Sequence, residues 1–120
     1  MYNIEILRNS EIESLLKDLK NILTRIYGNN LKNIILYGSY ARGDNDAESD
    51  IDIMILVDLD SEEQREYRNF LVKEITDLSI DCGIVISVID INYKDFYIRP
   101  SYVPFYKNVL SEGIELYGSW

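Results

Sequence analysis

Apolar and polar positions along the chain divide it into alternating helical and strand-like segments. From Ile12, apolar residues recur at Leu15, Leu16, Leu19, Ile22, Leu23 and Ile26, the spacing that lines one face of an amphipathic helix. Ser10, followed three residues later by Glu13, reads as a capping box at its start, and Gly28 as its stop. The run "NIILYGS" is short, rich in isoleucine and closed by Gly38, which predicts a buried strand. In "DIDIMILVDL" the period changes to two: Ile51, Ile53, Ile55 and Val57 share one face, and Asp50, Asp52, Met54, Leu56 and Asp58 the other. Ser61 and Gln64 predict a second capping box, opening a helix that turns Tyr67, Leu71, Ile75 and Leu78 inward and fades near Gly83. "GIVISVIDI" predicts a third strand, and a short helix is expected from about Phe105 to Leu110, ending towards Gly113. This order predicts an α/β or α+β fold with a single mixed sheet and helices packed on it.

Composition narrows the chemistry. With 120 residues, 47% hydrophobic and 28% charged, the chain is expected to form a single domain over residues 1–120 with one core. Its 21 acidic and 12 basic residues leave a formal charge of −9, which repels a phosphate backbone and makes direct nucleic-acid binding an unfavourable expectation. The amino terminus lacks a signal-peptide pattern, no apolar run approaches membrane-spanning length, and one cysteine, Cys82, rules out an intrachain disulfide. A cytoplasmic location without membrane association is expected. Histidine is absent, so Ser-His-Asp and Cys-His hydrolysis and nitrogen- or sulfur-based zinc sites are excluded. Carboxylates, hydroxyls and a hard cation remain.

The stretch "GSYARGDNDAESDIDIMIL" concentrates those groups, with acids at Asp44, Asp46, Glu48, Asp50 and Asp52. An EF-hand is ruled out because Ser49 stands where its turn glycine is needed and Ile55 where its closing glutamate belongs. Asp44, Asp46 and Glu48 lie among small and polar residues and read as a solvated turn. Asp50 and Asp52 are embedded in apolar sequence and, two apart on a strand, point the same way with Cα atoms about 6.5 to 7 Å apart. Two carboxylates held so repel each other unless a cation sits between them. Magnesium suits the pair, since it uses one or two carboxylates together with substrate phosphates. The bland alternative is the outward face of an edge strand. Gly38-Ser39, twelve residues upstream of Asp50, offers a close backbone approach and a hydroxyl to phosphate oxygens.

Gly38-Ser39 followed by Asp50-Ile51-Asp52, with Ala41-Arg42-Gly43 between, resembles the signature of the minimal nucleotidyltransferases of the DNA polymerase beta superfamily. The tail "PFYKNVLSEGIELY" is similar to the ending of their antitoxin-type branch, and the likeness runs from about Leu31 to Tyr117. The resemblance implies a mixed sheet with the Gly-Ser turn between the first strand and a short helix. It also implies two-ion magnesium chemistry that transfers a nucleoside monophosphate, AMP from ATP, to a hydroxyl. Asp50 and Asp52 would hold the ions, Gly38 and Ser39 the triphosphate, and Arg42 would neutralise leaving-group charge. The implied partner is a small helical HEPN-type toxin, modified on a tyrosine hydroxyl.

That superfamily places a third carboxylate in the middle of a later strand, where this chain has Ile86, Ser87 and Val88. Asp90 or Asp81 takes the role from a displaced position, with Asp90 preferred, or the acceptor-activating half of the site is weak. The alternative function is therefore a nonenzymatic antitoxin that occludes its partner and keeps a vestigial nucleotide site. Transfer to a small acceptor ranks below both, for want of a second lobe. Tyr102, Phe105 and Tyr106 are candidates to stack on a base or face a partner, against a default place in the core or its rim. Cys82 reads as a small buried apolar residue.

Overall fold

The computed structural model describes residues 10–98 and 103–118. Helix α1 (Ser10–Tyr27) passes through a 3₁₀ turn into strand β1 (Leu31–Tyr37), then a one-turn helix α2 (Ser39–Arg42) and strand β2 (Ile51–Val57). Helix α3 (Ser61–Cys82), strand β3 (Ile86–Asn92), helices α4 (Tyr93–Ile98) and α5 (Pro104–Glu112) and strand β4 (Ile114–Tyr117) follow. The sheet order is β3-β2-β1-β4, with β1 antiparallel to both neighbours and β2 parallel to β3. It is the single mixed sheet with packed helices that the sequence predicts.

The two-residue period of β2 sends its side chains into two separate apolar layers. Ile51, Ile53, Ile55 and Val57 join Leu19 and Leu23 of α1 and Leu71 and Ile75 of α3 on one face. Met54 and Leu56 join Ile35, Phe96 and Val109 beneath α4 and α5 on the other. Each fully buried aliphatic or aromatic side chain of this kind contributes about 1.5–3 kcal/mol relative to exposure. A sheet covered on both faces leaves only strand ends and edges for function, and the carboxyl end of β1 meets the leading end of β2 there.

Two local expectations are corrected. The cap of α3 lies one residue earlier than Ser61: Asp60 Oδ1 accepts from Glu63 N at 2.9 Å and Glu63 Oε1 accepts from Asp60 N at 3.2 Å. A carboxylate at each position closes the box reciprocally, and Gln64 is left to reach β3. Cys82 is exposed, because it falls in the last turn of α3 beyond the stripe that faces the sheet. Neither α4 nor β4 follows from the apolar pattern. The first capping box falls on Ser10, whose side chain lies outside the described residues, as does Tyr102. Among the described residues no helix is long and apolar enough to cross a membrane.

Candidate active site

The site begins where β1 runs out. Gly38 has φ 75° and ψ −155°, a combination open almost exclusively to glycine, and it lets the chain turn straight from the strand into α2. Tyr40 and Ala41 are buried and anchor that turn, while Gly38 O accepts from Ala41 N and Arg42 N, each at 3.1 Å. The antiparallel register sets Tyr37 opposite Asp52, so the Gly38 backbone crosses directly over the Asp52 carboxylate. A Cβ at Gly38 would collide with Asp52 Oδ2. Glycine is thus required twice, by its dihedral angles and by the acid beneath it.

This crossing forms one wall of a pocket of about 480 Å³. Gly38, Ser39 and Asp52 line one side; Phe105, Asn108 and Glu112 of α5 line the other. Burial raises the Asp52 carboxyl above the usual carboxylate range, the negative charge of Asp50 raises it further, and Arg42 partly offsets both. Asp50 itself is exposed, one residue ahead of β2. Tyr37 is pushed upward by burial and then by Asp52, so its phenol stays protonated at neutral pH. Within the pocket the negative charge of Asp52 is partly offset by Arg42.

Arg42 closes the rim. Its Nε donates to Asp44 Oδ2 at 3.1 Å and its Nη1 to Glu112 Oε2 at 3.4 Å, linking the turn to α5. Asp44 is therefore a partner for Arg42 as well as a solvated residue. Asp46 Oδ1 accepts from Glu48 N at 2.9 Å and from Ser49 Oγ at 3.3 Å, which makes it the organiser of the loop. Glu48 is exposed.

The structure does not bring Asp90 to Asp50 and Asp52. In the parallel pairing of β2 with β3, Asp52 stands beside Ser87, and Asp90 beside Ile55. Asp90 lies three positions after Ser87, so the two point to opposite faces. Asp90 accepts from Gln64 Nε2 at 3.0 Å, from Arg68 Nε at 3.2 Å and from Arg68 Nη2 at 3.0 Å, and its side chain is only 8% exposed. It anchors α3 to the edge strand on the sheet face away from the pocket. Asp81 is exposed in the last turn of α3, also outside the pocket.

Residues 16–116 match the family described as "Nucleotidyltransferase domain", a span that contains the whole pocket. This chain belongs to that nucleotidyltransferase family. It is 37% identical over 105 residues to "Putative protein adenylyltransferase MJ0604" of Methanocaldococcus jannaschii, covering 88% of this chain and 97% of the relative. Among solved structures, a toxin-antitoxin crystallised with AMP-PNP superposes with TM-score 0.52 at 23% identity, covering 94% of this chain and 75% of that one. A mutant of the toxin-antitoxin MntA-HpeT gives TM-score 0.55 at 20% identity, over 87% and 73% of the two chains. These likenesses show that the nucleotidyltransferase shares their fold.

Whether the nucleotidyltransferase's residues suit magnesium is decided by their chemistry. Asp50 and Asp52 are hard oxygen donors, and Asp52, raised by burial first and by the charge of Asp50 second, is a carboxylate whose ionised form a bound cation would stabilise. Among the described residues no group of three or more acids, histidines or cysteines is placed to hold a metal ion. The pair therefore fits a cation that also takes substrate oxygens, and does not form a complete cage alone. Sequence reasoning missed Asn108 and Glu112 as pocket residues. They arrive on a helix more than fifty residues after the Gly-Ser turn, inside the tail that resembles the antitoxin-type ending, where nothing singles out these two positions.

Proposed function

We propose that this nucleotidyltransferase is an antitoxin-type enzyme that transfers AMP from ATP to a hydroxyl on a small helical toxin partner. The observation that carries this reading is the crossing of Gly38 over Asp52 at the mouth of the pocket, which sets a phosphate-accessible backbone against a metal-seeking carboxylate. Gly38 backbone and the Ser39 hydroxyl hold the triphosphate. Asp50 and Asp52 hold magnesium, which when bound supplies charge stabilisation to the oxygens of an in-line displacement at phosphorus. Arg42 exchanges Glu112 for the leaving pyrophosphate. The acceptor oxygen forms a bond to the α-phosphorus as the bond to pyrophosphate breaks. The acceptor's proton passes to a base of the partner or to water, since Ser87 is what stands beside Asp52. A protein acceptor is supported by the name of the adenylyltransferase relative, and a toxin partner by the names of the toxin-antitoxin neighbours.

One observation favours a second reading: Ser87 beside Asp52 cannot serve as a metal ligand of the kind a third carboxylate would be. In that reading the protein binds nucleotide and occludes its partner without transfer. Incubation with labelled ATP, magnesium and the proposed helical partner separates the two. Label on the partner, lost in Asp52→Asn, supports the enzyme; ATP binding without label supports the occluding module.

A further inference from the structure

Taking the pocket as a nucleotide site, as proposed above, we propose that α5 supplies its nucleobase subsite, with Phe105 stacking on the base and Asn108 selecting adenine. Phe105, Asn108, Val109 and Glu112 recur at helical spacing along the α5 face that lines the pocket. Each has a different relation to it. Val109 is 2% exposed and forms the floor. Glu112 is engaged with Arg42 at the rim. Phe105 keeps 41% of its surface exposed while Tyr37 holds it edge-to-face, with centroids 5.5 Å apart. Tyr106 turns the other way, 5.2 Å from buried Phe96, and Tyr37, which also lines the pocket, is half-buried, which leaves Phe105 as the more open stacking surface.

Asn108 stands between the stacking ring and the rim, exposed on the pocket wall. No hydrogen bond to its side-chain amide occurs among the described residues; only its backbone carbonyl is used, by Ser111 Oγ. An asparagine amide carries one donor direction and one acceptor side by side. Adenine presents the matching pair at its N6 amino group and N7, whereas guanine presents two acceptors, O6 and N7, at the same edge. Pyrimidines have no equivalent ring nitrogen there and cover less of the Phe105 face. The amide therefore favours adenine, and the triphosphate contacts at Gly38 and Ser39 are indifferent to the base.

Calorimetric titration of the whole chain with the magnesium salts of ATP, GTP, 7-deaza-ATP and inorganic tripolyphosphate tests the assignment. ATP should bind about tenfold to a hundredfold more tightly than GTP or 7-deaza-ATP, the scale of one bidentate base contact. Asn108→Ala should bring ATP down to the level of GTP and leave tripolyphosphate unchanged, while Lys107→Ala, an exposed neighbour off the pocket, should change nothing. Phe105→Ala should weaken all three nucleotides by about tenfold. An ATP-to-GTP ratio that survives Asn108→Ala, or a loss shared by tripolyphosphate, overturns the assignment while the nucleotide site stands. Failure of both ATP and tripolyphosphate to bind overturns the nucleotide reading and this assignment with it.

Discussion

Gly38 and Asp52 meet so closely that a change in either is read by the other. Gly38→Ala adds a methyl group against Asp52 Oδ2 at dihedral angles that disfavour any side chain by about 1–3 kcal/mol. We expect a lowered melting temperature and loss of magnesium-dependent ATP binding together, measured by thermal denaturation and titration calorimetry; normal ATP binding by this variant would contradict the crossing geometry. Asp52→Asn should separate the two properties. Because burial and Asp50 raise the folded-state pKa of Asp52 above its unfolded value, ionising it disfavours the fold: the stability it permits is full below the unfolded pKa and falls as pH rises through the folded one. In EDTA, Asp52→Asn should therefore melt higher than the parent at pH 7, with the gap closing in acid, yet bind ATP and magnesium more weakly. A variant that melts lower at pH 7 would refute the strain. Glu48→Gln, at an exposed loop position, should leave ATP affinity nearly unchanged in the same titration.

At the scale of elements, the strands and long helices were legible because their apolar periods are strong, and the position of Asp90 was not. "GIVISVIDI" announces β3 plainly, but the face on which Asp90 lies depends on register, and an offset of three residues from Ser87 puts it on the opposite side of the sheet. Pairing also decides β4, four residues whose strand character comes from lying antiparallel to β1, with Glu115 opposite Ile35. The Gly-Ser turn and the acid pair could be read early because dihedral and charge requirements leave local marks in sequence. The α5 wall lies in a tail whose likeness and aromatics are visible in sequence, but which of its residues face the pocket is decided by the tertiary fold. Asp90 accordingly belongs to stability. Asp90→Asn keeps part of the Gln64 and Arg68 network and should lower stability by about 1–2 kcal/mol in urea denaturation while ATP affinity stays unchanged. A loss of ATP binding as large as that of Asp52→Asn would restore it to the site.

Across the whole molecule the acidic excess sets the terms of association. A chain carrying −9 attracts a basic partner through a field screened over about 8 Å at physiological ionic strength. The association rate with the proposed toxin should fall as salt rises, with a smaller change in dissociation rate, and surface plasmon resonance across a salt series measures both. An association rate indifferent to salt would argue against electrostatic steering. The proposed transfer between two proteins suits the place of the pocket, an open cleft at a strand end, over which a docking partner would present the acceptor hydroxyl. Intact-mass spectrometry of the partner after incubation with ATP, magnesium and this chain tests that claim most directly. The account predicts a mass gain of one or more adenylyl groups on the partner, absent with Asp50→Asn or Asp52→Asn; an unmodified partner in the presence of demonstrably bound ATP would contradict it.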